Sequence, residues 1–228
     1  MSVETGRLAP SEVRSMFDRI APVYDLMNRV MTAGLDQRWR RATVAAVVRP
    51  GDRVLDACCG TGDLAVAALK AGASEVVGLD FSPRMLERAR GKQQTVTWVE
   101  GDVTAMPFEE GRFDSATVGF GVRNVPELTA ALAELHRVLS PSGRLGILEI
   151  TTPTGILAPF YRLWFDRVVP LLGRSLKGGS AYTYLPASVR RFPPPAELVS
   201  LLEQAGFEQV AYRTFAGGIV ALHTGVAR

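Results

Sequence analysis

The sequence has only two cysteines, Cys58 and Cys59, and they are neighbours in the chain. Adjacent cysteines cannot form an unstrained disulfide, and one such pair lacks the ligand spacing of a zinc site. We therefore expect no disulfide framework and no metal centre. The protein is predicted to work in a reducing compartment.

Neither a secretion signal nor a membrane-spanning run is predicted from the sequence. Residues 1–10 include Glu4 and Arg7 and have no apolar core, so no signal peptide is predicted. The longest apolar candidate, residues 155–173, is interrupted by two arginines, an aspartate and two prolines. A bilayer span needs about 20 predominantly apolar residues, so we expect a cytoplasmic protein, with any membrane contact peripheral.

A concentrated basic face is missing as well. The net charge is +3, divided into +3 for residues 1–50, −5 for residues 51–136 and +5 for residues 137–228. Nucleic-acid-binding domains usually gather Lys and Arg on one face. The acidic middle of this chain therefore predicts no nucleic-acid partner.

What the sequence does contain is an alternation of β-rich and helical segments. The predicted strands are residues 53–57, 75–79, 96–100, 115–118 and 145–149, and the predicted helices between them are residues 64–71, 83–90 and 127–139, with a turn at 140–143. Strands that alternate with helices predict an α/β fold with a doubly wound parallel sheet. At 228 residues the chain fits a single domain.

Four parts of this domain are expected. Residues 1–50 form a helical N-terminal cap, residues 51–150 a cofactor-binding core, and residues 151–195 an inserted lid rich in aromatics and proline. Residues 196–228 supply a helix at 196–205 and two strands at 210–215 and 219–226.

The first strand-to-helix turn carries a glycine loop. Residues 54–63, VLDACCGTGD, place Gly60 and Gly62 where the backbone approaches a ligand most closely. Residues 60–65 also satisfy the relaxed dinucleotide fingerprint G-x-G-x-x-A. The loop alone therefore leaves NAD and other nucleotide-like cofactors open.

Charge at the loop discriminates between these ligands. Asp56 and Asp63 flank it, and a pyrophosphate there would meet two carboxylates. Like charges about 4 Å apart cost about 4 kcal/mol at an intermediate dielectric. S-adenosylmethionine, which carries an ammonium and a sulfonium, is the better match. The alternative role for Asp63 is to cap the following helix.

Two more acids end the next two predicted strands. Asp80 is placed to accept both hydroxyls of a ribose, and Asp102 to accept from an adenine amino group. Phe81, Val103 and Met106 would provide apolar faces for the ring. Three successive strand ends thus carry polar groups suited to one nucleoside.

These residues resemble the class I S-adenosylmethionine-dependent methyltransferases. From about Arg14 onward the chain is similar to the demethylmenaquinone and ubiquinone-biosynthesis C-methyltransferases. The closer resemblance rests on four stretches, which are residues 17–39, 119–124, 137–149 and 182–193.

The resemblance implies a Rossmann-like seven-stranded sheet with its last strand antiparallel, and S-adenosylmethionine as cofactor. The candidate cofactor-binding residues are Asp56, Gly60, Thr61, Gly62, Asp80, Phe81, Asp102, Val103 and Gly119. The chain departs from the family at Thr32 and Asp36, where a serine and a histidine are usual, and at residues 140–143, SPSG, in place of Lys-Pro-Gly-Gly. A catalytic histidine at that point is therefore not expected.

The candidate catalytic residues are Arg123, Asn124 and Tyr24. Arg123 and Asn124 follow the fourth strand, beside the cofactor, where a guanidinium would stabilise a developing phenolate and an amide would orient a water that takes the proton. Tyr24, on the N-terminal cap, would position a quinol. His136 and His223 are expected to be structural.

The expected substrate is a polyprenylated quinol. The insertion offers apolar residues and three arginines for a prenyl tail, for peripheral contact with an anionic membrane, or for a homodimer interface. The expected reaction is methylation of a ring carbon of demethylmenaquinol to give menaquinol. The sequence leaves open the benzoquinol of ubiquinone synthesis, another small molecule or sterol, an NAD-dependent dehydrogenase and a non-catalytic scaffold.

Overall fold

The fold is built on one sheet of seven strands. A computed structural model describes residues 9–153 and 179–228 of the chain. The strands are β1 Arg53–Ala57, β2 Glu75–Asp80, β3 Thr97–Glu100, β4 Phe113–Gly119, β5 Leu139–Ile150, β6 Phe207–Phe215 and β7 Val220–Ala227. Their order is β3-β2-β1-β4-β5-β7-β6. The first five are parallel, whereas β7 runs antiparallel to both β5 and β6.

Helices cover both faces of the sheet. They are α1 Pro10–Ile20, α2 Tyr24–Thr32, α3 Asp36–Val47, α4 Asp63–Lys70, α5 Pro83–Lys92, α6 Leu128–Val138, α7 Gly179–Arg191 and α8 Pro195–Gln204. α3 and α4 pack on one face of the sheet, and α6 and α8 on the other. β1 and β2 are buried along almost their whole length, so their apolar residues form continuous runs rather than alternating ones.

The strand order determines where a ligand would bind. The chain moves from β1 outward to β3 and then returns to β4 on the other side of β1. At such a reversal the loops diverge beyond the carboxyl ends of the strands and leave a crevice. The glycine loop after β1 and the loop after β4 flank this crevice.

The N-terminal helices pack above it. Val13, Met16 and Ile20 of α1 and Met27 of α2 are buried in one apolar cluster with Met85 of α5. Further along the chain, α7 contributes to the same cluster. The cap therefore rests on the helix that follows β2, over the carboxyl edge of the sheet.

The predicted elements agree with the structure, apart from residue boundaries and one turn. Residues 140–143 were expected to form a turn before the fifth strand, but β5 begins at Leu139. Ser142 has a φ of +65°, and the pairing of β4 with β5 shifts between Phe113 and Ser115. These four residues therefore form a bulge within the strand instead of a separate turn.

Most of the expected lid lies outside the described residues, including the apolar and basic side chains of residues 156–174 on which the membrane and dimer expectations rest. Among the helices that the structure describes, none is long and apolar enough to cross a membrane.

Candidate active site

Two adjoining cavities lie at the carboxyl edge of the sheet. The first cavity, of about 190 Å³, is lined by the glycine loop, the ends of β2, β3 and β4, and α1. The second cavity, of about 220 Å³, is lined by α1, α2, α7 and the loop after β4. Both are lined by Phe17, Tyr24, Phe120 and Asn124, which form their common wall.

Three residues of the glycine loop have the left-handed backbone conformation. Cys58, Gly60 and Gly62 have φ values of +52°, +54° and +83°. Gly60 and Thr61 line the first cavity, while Gly62 lies behind it at the N-cap of α4. A Cβ on Gly62 would collide with the ring of Trp98. Gly62 thus serves helix packing, and the structure does not place it against a ligand.

Asp56 also differs from expectation, because it does not line either cavity. It is 1% exposed, and its carboxylate accepts hydrogen bonds from the Ala65 backbone N–H at 2.9 Å and the Thr117 hydroxyl at 3.0 Å. Ala65 is the third residue of α4, so Asp56 caps this helix and Asp63 does not. Burial raises the pKa of Asp56 to about 7.

Asp63 faces the first cavity but already has cationic partners. Its Oδ1 is 2.7 Å from Lys92 Nζ, and its Oδ2 is 3.8 Å from Arg40 Nε. Burial acts to raise the pKa of Asp63, but the two cations outweigh it and the pKa is lowered. The loop is therefore not ringed by free carboxylates, and the electrostatic argument for a cationic ligand holds only for the acids that remain unpaired.

The two other strand-end acids do face the first cavity. Asp80, 5% exposed, accepts from the backbone N–H groups of Gly60 at 2.8 Å and Ser82 at 2.9 Å. Burial raises its pKa to about 6. Asp102 Oδ1 accepts from the backbone and hydroxyl of Thr104, both at 2.8 Å. Neither carboxylate is paired with a cation in the part of the chain that the structure describes.

Apolar groups complete this end of the first cavity. Phe81 and Val103 line it beside the two acids, and Phe81 meets Phe17 edge-on with ring centroids 6.1 Å apart. Gly119 lines it at the end of β4. Polar acceptors beside apolar walls match a nucleoside, whose sugar has hydroxyl donors and whose base has two apolar faces.

The predicted catalytic residues gather at the second cavity. Arg123 lines it and is 6% exposed, so it is a buried group rather than a surface one. Its Nη1 donates to Glu149 Oε1 at 2.7 Å and to the Phe120 carbonyl at 2.5 Å. Burial acts to lower the pKa of Arg123, but the Glu149 carboxylate outweighs it and the pKa is raised.

Asn124 and Tyr24 form part of the common wall. The Asn124 Nδ2 is 3.5 Å from the Phe120 carbonyl, while its Oδ1 is buried without a hydrogen-bond partner among the described residues. A buried amide oxygen without a partner costs about 1–3 kcal/mol, which a ligand or water at this wall would offset. Tyr24 meets Phe17 edge-on with ring centroids 6.3 Å apart.

The histidines take no part in this arrangement. His136 packs edge-on against Phe207 at 5.2 Å, and His223 stacks on Tyr212 at 5.4 Å with its Nε2 3.0 Å from the Pro195 carbonyl. Neither lines the two cavities. No group of three or more His, Cys, Asp or Glu residues that could hold a metal occurs within residues 9–153 and 179–228.

Three polar residues of the site were not singled out by sequence. Arg40 lines the first cavity, and Asp25 and Lys92 meet at Thr61 of the glycine loop. Each lies on a helix distant in sequence from the loop. The only signal for any of them was indirect, because Asp25 and Arg40 lie in or next to the stretch of residues 17–39 that carries the resemblance.

The fold, the glycine loop and the strand-end acids together define a class I methyltransferase. The family comparison is specific on this point, since the model of the ubiE/COQ5 methyltransferase family matches residues 5–227. The chain belongs to that family. The predicted enzyme class and the methyl donor S-adenosylmethionine are confirmed by this membership.

Curated relatives match over almost their whole length. The chain is 45% identical over 218 residues to the demethylmenaquinone methyltransferase of Thermus thermophilus, covering 92% of this chain and 99% of the relative. It is 42% identical over 224 residues to the same enzyme of Deinococcus radiodurans, covering 95% and 92%. It is also 42% identical to the ubiquinone/menaquinone biosynthesis C-methyltransferase UbiE of Syntrophotalea carbinolica, covering 94% and 93%.

Solved structures confirm the fold. A SAM-dependent methyltransferase from Aquifex aeolicus matches with a TM-score of 0.63 at 16% identity, covering 97% of this chain and all of the other. The [4+2]-cyclase SpnF matches with a TM-score of 0.69 at 18% identity, covering 94% of each chain. Because a cyclase shares the fold, the activity has to be argued from the site.

Proposed function

We propose that this chain methylates a ring carbon of demethylmenaquinol to give menaquinol. The observation that carries the proposal is the common wall, because it places an apolar second cavity directly beside the cavity for the methyl donor. An electron-rich aromatic ring in the second cavity would face the donor across Tyr24 and Asn124. The names and coverage of the relatives support the same reaction.

The first cavity fits S-adenosylmethionine. Asp80 is placed for the ribose hydroxyls, Asp102 for the adenine amino group, and Phe81 and Val103 for the ring faces. Thr61 and Gly119 border the end where the amino acid part would lie. When bound, this cofactor supplies a methyl group on a positively charged sulfur.

The residues of the second cavity prepare the quinol. A ring carbon becomes nucleophilic when the neighbouring hydroxyl loses its proton, and a buried cation stabilises the resulting oxyanion. Arg123 is such a cation, held in place by Glu149 and the Phe120 carbonyl. Asn124 offers an unpartnered amide oxygen that can hold the water receiving the proton, and Tyr24 positions the ring.

A labelled-methyl assay tests the proposal. Reduced prenylated naphthoquinol and benzoquinol would be offered separately with S-adenosylmethionine, and the labelled products identified by mass. We expect methylation of the naphthoquinol. Labelling of the benzoquinol alone would assign the chain to ubiquinone synthesis, and labelling of neither quinol would contradict the proposal.

We also propose peripheral contact with the inner membrane face, where a polyprenylated quinol resides. The residues expected to carry it, among them Trp164 and Phe165, lie outside the described residues. Replacing both with serine is expected to reduce sedimentation with anionic vesicles while the protein stays folded, and unchanged sedimentation would contradict it. We propose homodimer formation as a second role for this insertion. Sedimentation velocity of the wild type and of the double serine variant tests it.

A further inference from the structure

Asp36 is a buried carboxylate in the cavity proposed for the quinol ring. It begins α3, it is 1% exposed, and it lines the second cavity. Among the described residues around this cavity it is the only acid, and most of the others are apolar. Burying a charge in such surroundings is costly unless hydrogen bonds compensate for it, so the partners of its two oxygens determine what it can bind.

The Oδ2 atom of Asp36 already has partners. Gln37 Nε2 lies 3.2 Å from it, and Arg40 Nε lies 3.7 Å away, too far for a hydrogen bond but close enough to act as a countercharge. The Gln37 amide carries two N–H groups, so its second contact, with Asp63 Oδ2 at 3.2 Å, does not compete with the first. This oxygen is therefore held by the first turns of α3.

The Oδ1 atom has no donor of its own. The donor that the described residues offer it is the Thr32 hydroxyl, 3.1 Å away. That hydroxyl carries a single proton and lies closer, at 2.7 Å, to the Asn28 carbonyl oxygen. A proton donated to the carbonyl is not available to Asp36, so Oδ1 is a buried acceptor that a hydroxyl in the second cavity can satisfy.

The reduced and oxidised forms of the substrate ring differ in what they offer such an acceptor. A quinol carries two hydroxyls, which donate hydrogen bonds, whereas a quinone carries two carbonyls, which only accept them. An ionised carboxylate also only accepts, so it attracts the hydroxyl and repels the carbonyl. Arg123, the cation that lines the same cavity, serves the hydroxyl next to the methylated carbon, and the second hydroxyl is left for Asp36.

We propose that Asp36 accepts a hydrogen bond from the second quinol hydroxyl, the one beside the prenylated carbon, and thereby selects the reduced ring over the oxidised one. This inference rests on the proposed function, because it assumes a quinol in the second cavity. It makes Asp36 a specificity-determining residue. Only the reduced ring is electron-rich enough to take a methyl group, so rejecting the quinone keeps the cavity open to the form that can react.

Binding of three rings that differ at this oxygen provides the test. They are the prenylated naphthoquinol, its quinone, and the matching prenylated naphthol that lacks only the hydroxyl beside the prenylated carbon. Anaerobic equilibrium dialysis with S-adenosylhomocysteine present measures the Kd of each ring without methyl transfer. The wild type is expected to bind the quinol about 10- to 100-fold more tightly than either other ring, the range of a hydrogen bond to a charged group.

Asp36→Asn keeps the shape of the side chain and removes its charge. Because the new NH₂ group can donate to a carbonyl, quinone binding should strengthen and the preference for the quinol over the quinone should fall to within about 3-fold. The preference over the naphthol should shrink as well. Glu203→Gln is the matched control, since it makes the same change at an exposed carboxylate on α8, and it should keep the wild-type ratios.

Failure of the inference and failure of the proposed function give different results. A wild type that binds the quinone or the naphthol as tightly as the quinol would overturn the role of Asp36 and leave the methylation of the naphthoquinol intact. Unchanged ratios in Asp36→Asn, or an equal loss for all three rings, would also overturn it. If Asp36→Asn does not fold, the wild-type preferences decide. A wild type that binds S-adenosylhomocysteine but none of the rings would instead contradict the proposed function.

Discussion

Lys92 Nζ lies 2.7 Å from Asp25 Oδ2, so the last residue of α5 is joined to the first turn of α2. The same ammonium is 2.7 Å from Asp63 Oδ1 and 2.9 Å from Thr61 Oγ1. Thr61 in turn donates to Asp25 Oδ1 at 2.5 Å. One lysine therefore connects the N-terminal cap to the glycine loop, directly beside Tyr24.

Replacing this lysine should loosen the cap. Lys92→Met leaves Asp25 and Asp63 without their shared cation, and we expect a loss of about 1–2 kcal/mol in the free energy of unfolding, between the values for exposed and buried pairs. Binding of S-adenosylhomocysteine should weaken with it, since Thr61 lines the first cavity. Urea unfolding and calorimetry measure the two effects.

Lys70→Met is the control for this prediction, because Lys70 is an exposed lysine at the end of α4. It should change neither quantity appreciably. In 1 M salt the difference between Lys92→Met and wild type should shrink, as salt screens the partly exposed pairs. Equal behaviour of the two variants would exclude a role for the network.

Alanine substitutions at Gly62 and Gly51 should distinguish the cost of backbone strain from the cost of overpacking. Both have positive φ, +83° and +88°, but a Cβ on Gly51 meets nothing within 4 Å, whereas one on Gly62 strikes the Trp98 ring. Gly51→Ala should therefore cost about 1 kcal/mol of conformational strain. Gly62→Ala should cost a further 1–3 kcal/mol for overpacking. Urea unfolding measures both, and equal losses would mean that Trp98 moves aside freely.

Apolar runs, and the turn residues that end them, predicted most of this fold. The run at residues 53–57 became β1 with the expected ends, and Gly206 ended the last helix near its expected place. The error at residues 140–143 arose because serine, proline and glycine are typical of turns, and only the pairing with β4 shows that the strand continues through them.

The site was less predictable, for a physical reason. A strand end fixes where a side chain lies relative to the sheet, so Asp80 and Asp102 were placed at the cavity from sequence alone. The direction in which Asp56 points depends instead on which backbone N–H needs a cap. The charge of the loop depends on Arg40 and Lys92. These two residues lie on separate helices, and only tertiary packing brings them to the loop.

Asp56 should make the stability fall as pH rises. Its folded pKa of about 7 lies above the value near 3.9 of an exposed aspartate, so the folded state holds more protons between these values. Stability then declines as pH rises through this window. Asp56→Asn should remove the decline, because its amide oxygen can accept from Ala65 N–H and its NH₂ can donate to the Thr117 hydroxyl.

As pH rises from 5 to 8, we expect the free energy of unfolding of Asp56→Asn to increase by roughly 2 kcal/mol relative to that of the wild type. Urea unfolding across this pH range measures the difference. Asp114→Asn, compared with wild type by urea unfolding between pH 2 and pH 5, is the control of opposite sign. The Arg53 partner lowers the pKa of Asp114 to about 2, so its contribution is lost only as pH falls from about 4 toward 2. A constant offset between Asp56→Asn and wild type would show that Asp56 does not titrate in this range.

Asn124 should act on the chemical step and not on binding of the donor. Asn124→Leu keeps the size of the side chain but removes the amide oxygen at the wall between the two cavities, and with it the site for a water that accepts the quinol proton. Loss of such proton transfer lowers kcat by about 100-fold. Asn28 lines only the second cavity, so Asn28→Leu should mainly raise the KM for the quinol. Steady-state kinetics and the Kd of S-adenosylhomocysteine distinguish the two variants, and a donor Kd that weakens in step with kcat in Asn124→Leu would mean that Asn124 holds the donor instead.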